Sequence, residues 1–295
     1  MDLTTRGQLM RSPTNTIAAA ATTAWPEAPP ATSGRSPSRV DAPRRPADEP
    51  ALPQLSLRGI LGVWAAAALP MGLLAWVASP LLADRLSGPG ALSRALIFTL
   101  TAGMVWQFVL VLTLVAREQG SLRWSVLRDA LWLRAPRAPR TGRRGGRAWL
   151  VVLPLIGALA AEQLVPGPAN PVARDLGDFL GTDAGQSLLA GSWGWFALMT
   201  AMFVFNTVLG EELLFRGFLL PRMNGAFGGR DWVANGVLFA VYHLHVPWVI
   251  PAALLDTFIL AGPSKRYRSA LVGIAVHSAQ SVFFLVLVLS LVLKG

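Results

Sequence analysis

The sequence predicts an all-α protein: a polytopic membrane bundle of about seven spans behind a disordered N-terminal tail. Two observations carry that prediction. Of the 295 residues 53% are hydrophobic and only 14% are charged, with a mean hydropathy of +0.47, whereas ordinary soluble domains are closer to a quarter charged. The apolar residues also fall in blocks of about 20, the length that crosses a hydrocarbon core of ~30 Å. No alternating strand pattern is visible, and a helical bundle satisfies its backbone within the bilayer without closing into a barrel.

Residues 1–55 form the first segment. They are rich in Ala, Pro, Ser, Thr and Arg, as in EAPPATSGRSPSRVDAPRRPADEP. No periodicity runs through them, which predicts a disordered cytoplasmic tail. They lack the short apolar core of a signal peptide. Residues 56–192 follow as N-terminal transmembrane helices with an Arg-rich loop, and 193–295 as a C-terminal transmembrane core. Within these the apolar segments are 59–83, 92–116, 148–164, 193–221, 231–248, a short stretch 251–263, and 269–293. Pro70 and Pro80 fall in the first and predict bends there. Trp64, Trp76, Trp193 and Trp195 include interface anchors.

Charge between the blocks gives orientation. The formal net charge of +10 comes almost entirely from arginine. Because these residues lie between apolar blocks, they indicate membrane topology and no nucleic-acid partner. Loop 117–147 carries nine arginines against Glu118 and Asp129, which places it in the cytoplasm. Loop 165–192 carries Asp175, Asp178 and Asp183 against Arg174, which places it outside. Alternation then puts the N-terminus inside a cell (inner) membrane, with the turns 222–230 and 264–268 on the same side. Within the Arg-rich loop, SLRWSVLRDALWL reads either as an amphipathic helix on the inner surface or as a solvated basic loop. The chain has no cysteine, so disulfides, thiol catalysis and cysteine metal sites are excluded.

Ionisable residues inside spans are costly and mark function by default. The C-terminal third holds Glu211, Glu212 and Arg216 in NTVLGEELLFRGFLLPRM, His243 and His245 on the next span, Asp256, and His277 on the last. Counted from the flanking basic turns at 1.5 Å per residue, Glu211 lies ~16 Å deep, His243 ~20 Å and His277 ~13 Å. An acid and two imidazoles thus reach similar depth from separate helices. Glu212 and Arg216 stand at i,i+4 and form a pair. Glu211 is turned ~100° away, which leaves it free for chemistry in a partly dry site. Phe239 packs against His243 at the same spacing. His245 is read as facing the interface, and Asp256 receives no assignment. His277, with Gln280 and Ser281 at i+3 and i+4, offers either donors to an oxyanion or helix–helix hydrogen bonds.

At these positions the sequence resembles the CPBP family, membrane proteases that include prenyl-protein (CAAX) endopeptidases and bacteriocin-processing or immunity proteins. EELLFRG resembles the first motif, E-E-x-x-x-R, at Glu211, Glu212 and Arg216. FAVYH resembles F-x-x-x-H at Phe239 and His243. HSAQS resembles H-x-x-x-N, with His277 matching and Ser281 in the asparagine position. The resemblance implies an intramembrane endopeptidase whose cavity opens toward the cytoplasm. It implies that Glu211 and His243 activate water and that His277 and residue 281 stabilise the oxyanion, with Glu212 and Arg216 in support. The implied substrate is a membrane-associated peptide or lipidated protein, and no cofactor is required. Zinc held by Glu211, His243 and His277 is the metal alternative. A proton-coupled transporter and a non-catalytic adaptor or immunity protein use the same buried groups and stand as alternative functions.

Overall fold

The computed structural model describes residues 52–165 and 168–295. The expected disordered tail therefore lies outside the described residues up to residue 51. Its last residues do not behave as tail. Leu55 N–H donates to Arg222 O at 2.9 Å, and Gln54 donates to Pro221 O and accepts from Gly225 N–H.

All named elements among the described residues are helical. The longer ones are α1 (Leu57–Ala83), α2 (Ala91–Gln119), α3 (Trp124–Ala130), α4 (Val152–Glu162), α5 (Trp193–Arg222), α6 (Asp231–Tyr242), α7 (Pro247–Ala253), α8 (Thr257–Tyr267) and α9 (Ala270–Val292). Four of them, α1, α2, α5 and α9, are long and apolar enough to cross a membrane, and the bent pair α7–α8 makes a fifth if it counts as one span. The sequence expectation of about seven is larger because it counted 148–164 and 231–248. Those segments hold α-helices of 11 and 12 residues, extended by 3-10 turns to 146–162 and 228–245, and are not among the helices long and apolar enough to cross.

Local sequence explains the irregularities. Ser56 caps α1, its Oγ accepting from Gly59 N–H at 3.2 Å. After Pro70 the helix widens into a π-helical turn at Leu74–Ala78, and Ser79 Oγ donates to Leu74 O at 2.8 Å across it. The N–H that Pro70 lacks would have met Ala66 O, and Trp106 Nε1 donates to that carbonyl instead at 2.9 Å. Trp64 and Trp76 do not serve only as interface anchors, because their indole N–H groups donate to Leu238 O and Leu244 O. Within the Arg-rich loop, Trp124–Ala130 is helical (α3), with Trp124 exposed and Ala130 buried.

The core runs along the bundle axis through Met71, Met104, Val111, Leu214, Phe215, Tyr242 and Val276. Helix α6 approaches α8 closely at Gly236, where a Cβ would fall 2.5 Å from Thr257 Cα, and α2 packs on α5 at Gly210. A Cβ there would stand 3.5 Å from Met104 O and collide with Phe205 O.

The basic segments gather at one end. Arg222 is fully buried, ion-paired to Glu118 at 2.6 Å, and donates to Ala130 O and Phe218 O. Arg137 N–H donates to Tyr267 O, Ala270 N–H to Trp132 O, and Lys265 pairs with Asp231. At the opposite end Ser93 Oγ donates to Ala173 O, Arg174 to Ala75 O, Trp248 to Asp175, and Gly191 N–H to Val292 O.

Candidate active site

Helix α5 carries the carboxylates, and its backbone departs from the geometry assumed in the sequence reading. Val204–Glu211 and Leu213–Leu219 are π-helical, a form that is rare and frequently marks functional sites. Neither the rise of 1.5 Å per residue nor the 100° step applies through this segment. Asn206, about one turn before Glu211, lines the same cavity.

The two carboxylates face different surroundings. Glu211 is 2% exposed and lines a cavity of about 760 Å³, and its Oε2 has no hydrogen-bond partner. Glu212 is fully buried behind it. Its Oε1 lies 3.2 Å from Arg216 Nη1 and 3.1 Å from His277 Nδ1. Space for Glu212 is made by Gly273 of α9, where an added Cβ would collide with Glu212 Oε2.

Phe239 of α6 holds the other groups in place. The Arg216 guanidinium carbon lies 4.0 Å from its ring centroid, and the rings of His243 and His277 meet it edge-on at 4.9 and 6.1 Å. The aromatic face favours the cation, so Arg216 is compensated by Glu212 on one side and by Phe239 on the other.

The histidine tautomers follow from their partners. His243 Nδ1 lies 2.9 Å from Phe239 O. A carbonyl only accepts, so Nδ1 carries the proton and the neutral ring presents Nε2 as a lone pair. His277 Nδ1 likewise donates to the Glu212 carboxylate, which leaves its Nε2 for a ligand. Both rings line the cavity with Glu211, Phe239, Gln280 and Ser281. The structure therefore brings these sequence-predicted residues to one cavity, with Glu212 and Arg216 behind its wall. No hydrogen bond joins Glu211 to either histidine among the described residues, and no group of three or more His, Cys, Asp or Glu is placed to hold a metal ion.

Residues 193–283 match the Rce1-like family of type II CAAX prenyl endopeptidases. No curated protein and no solved structure matches the chain. The Rce1-like segment runs from the start of α5 into α9 and contains every site residue named from sequence. The cavity extends beyond it, because Glu162 of α4 and residues of 163–178 also line it.

Several lining residues escaped the sequence reading. His245 does not face the interface. It is 5% exposed, lines the cavity and stacks on His243 with ring centroids 5.5 Å apart. Helix α6 ends at Tyr242 and continues as a 3-10 turn over His243–His245, which narrows the angle between residues two apart from ~160° to ~120°. Asp256 is 5% exposed and Glu162 7%, both facing the cavity with one oxygen unpartnered. Asn206 also lines it, and its Oδ1 has no partner. A lone acid closing an apolar run and an amide five residues before Glu211 were the available signals.

The mouth differs from expectation too. The cavity does not open at the basic end. The exposed residues described in its lining, Gln163, Val165, Pro168, Asn170, Ala173 and Asp178, all come from 163–178 at the opposite end.

Proposed function

We propose that this protein is an intramembrane endopeptidase in which Glu211 and His243 activate a water molecule for attack on a peptide bond of a membrane-associated polypeptide. The observation that carries the reading is a buried carboxylate with an unspent oxygen, set in the same cavity as an imidazole whose free nitrogen is Nε2. The Rce1-like match supports the same reaction class. Residues 193–295 act as the catalytic core in this reading, and 56–192 supply the rest of the cavity wall.

The bonds balance as follows. Water oxygen attacks the carbonyl carbon while Glu211 takes one water proton and His243 Nε2 accepts a hydrogen bond from the other. The tetrahedral oxyanion is met by hydrogen-bond donors. The C–N bond then breaks, and the proton held by Glu211 passes to the leaving amine. His277 serves the oxyanion as an imidazolium, with Nε2–H toward the substrate and Nδ1–H on Glu212. The pathway requires no metal.

The second oxyanion donor is assigned to Asn206 rather than Ser281. Thr207 Oγ1 gives its proton to Phe203 O at 3.1 Å, so the hydroxyl pair at 3.3 Å leaves Ser281 as donor and Thr207 as acceptor. Ser281 thereby spends its proton within the bundle, while the Asn206 amide one residue before Thr207 stands in the cavity wall. Asn206→Ala is expected to lower turnover about 100-fold or more, the usual cost of one oxyanion donor. Ser281→Ala is expected to change it less than tenfold. A larger loss for Ser281→Ala than for Asn206→Ala would return the role to position 281.

The function itself is tested by sequencing membrane-derived peptides from cells carrying the wild type or His243→Ala at matched protein level. Fragments present with the wild type and missing with His243→Ala support the peptidase. An unchanged fragment set together with an unchanged cellular phenotype points to the adaptor.

A further inference from the structure

The direction in which the cavity opens limits what enters it. Lys and Arg residues gather at the end away from the mouth: nine arginines in 117–147, then Arg222, Arg230, Lys265, Arg266 and Arg268. Past the membrane-facing helices, the mouth end holds Arg85, Arg94, Arg174 and Lys294. Loops this short follow the rule that the Lys/Arg-rich side stays in the cytoplasm. The basic end is also shut. Buried Arg222 is tied there to Glu118, Ala130 O and Phe218 O, and the chain at Leu55 is hydrogen-bonded across it. The exposed part of the cavity lining belongs to 163–178, where Asp175 and Asp178 stand.

We infer that the cavity opens on the extracytoplasmic face of the membrane and receives a polypeptide segment presented there, rather than a lipidated tail lying on the cytoplasmic leaflet. What happens to that segment rests on the peptidase reading. The direction of opening rests on charge and geometry alone. A chain end or loop entering past 163–178 reaches Glu211 and His243 without crossing the basic end.

Because the chain has no native cysteine, single-cysteine reporters are unambiguous. Asp178→Cys at the mouth and Arg143→Cys in the Arg-rich loop both replace exposed residues. Each full-length variant is treated in intact cells with a membrane-impermeant maleimide and again after permeabilisation. Asp178→Cys is expected to label in intact cells, and Arg143→Cys only after permeabilisation. The reverse pattern overturns the inference. In the same cells, fragments made by the wild type and lost with Glu211→Gln are expected to end in segments on the labelled side. Ends confined to cytoplasmic segments overturn the choice of substrate. Labelling as expected with no Glu211-dependent fragment overturns the peptidase reading and leaves the direction of opening standing.

Discussion

Glu211→Gln is expected to lower peptide-bond hydrolysis by about a thousandfold or more, within or above the usual range for loss of a general base. The substitution keeps volume and shape. It removes only the carboxylate charge at a position already 2% exposed, with an oxygen that no protein donor satisfies. Folding is therefore expected to survive, and thermal unfolding in detergent is expected to match the wild type or exceed it, since a buried charge has been removed. Substrate binding is expected to persist, so the variant accumulates bound, uncleaved polypeptide. A rate within tenfold of wild type for well-folded Glu211→Gln would assign the base to another group, Glu162 and Asp256 being the other buried carboxylates in the cavity wall.

Arg216→Leu is expected to act through stability. The guanidinium is fully buried, 3.2 Å from Glu212 and stacked at 4.0 Å over Phe239. Removing it leaves Glu212 buried with only His277 opposite. Breaking a buried pair from one side typically costs about 3–5 kcal/mol, because the remaining charge is uncompensated. The double variant Glu212→Gln/Arg216→Leu is expected to recover part of that loss, since the stranded charge is gone. A double-mutant cycle on thermal stability in detergent measures the coupling. Independent, additive losses would show that the ion pair does not hold the helices. Activity should fall in both variants, because Glu212 also orients His277 through Nδ1.

How far the sequence reveals this molecule depends on which physical signal each feature uses. Hydropathy marks α2 and α9 almost to the residue, because long apolar runs have few other readings. It also marks crossings at 148–164 and 231–248, where the α-helices are short although apolar side chains such as Leu150, Leu153 and Val237 are exposed. The pairing of Glu212 with Arg216 was visible because four-residue spacing survives the change from α to π geometry. That Asn206 shares the cavity with Glu211 was not, since hydrogen-bond register leaves no mark on hydropathy. His245 was misplaced for a related reason: extending α6 past Tyr242 sends it away from His243, whereas the 3-10 turn stacks the two rings. Glu162 lies 49 positions before Glu211 and belongs to the cavity only through the packing of α4. Gly273, whose missing side chain makes room for Glu212, becomes interpretable only once α9 is set against α5.

The central claim is that Glu211 acts on water and does not itself attack the substrate. A single turnover in H2(18)O, followed by mass spectrometry of the peptide product and of the enzyme peptide containing Glu211, separates the two routes. Direct attack by water predicts the heavy oxygen in the new C-terminal carboxylate and none in Glu211; label retained in the Glu211 carboxylate would mean a covalent acyl intermediate on that side chain and would contradict the account.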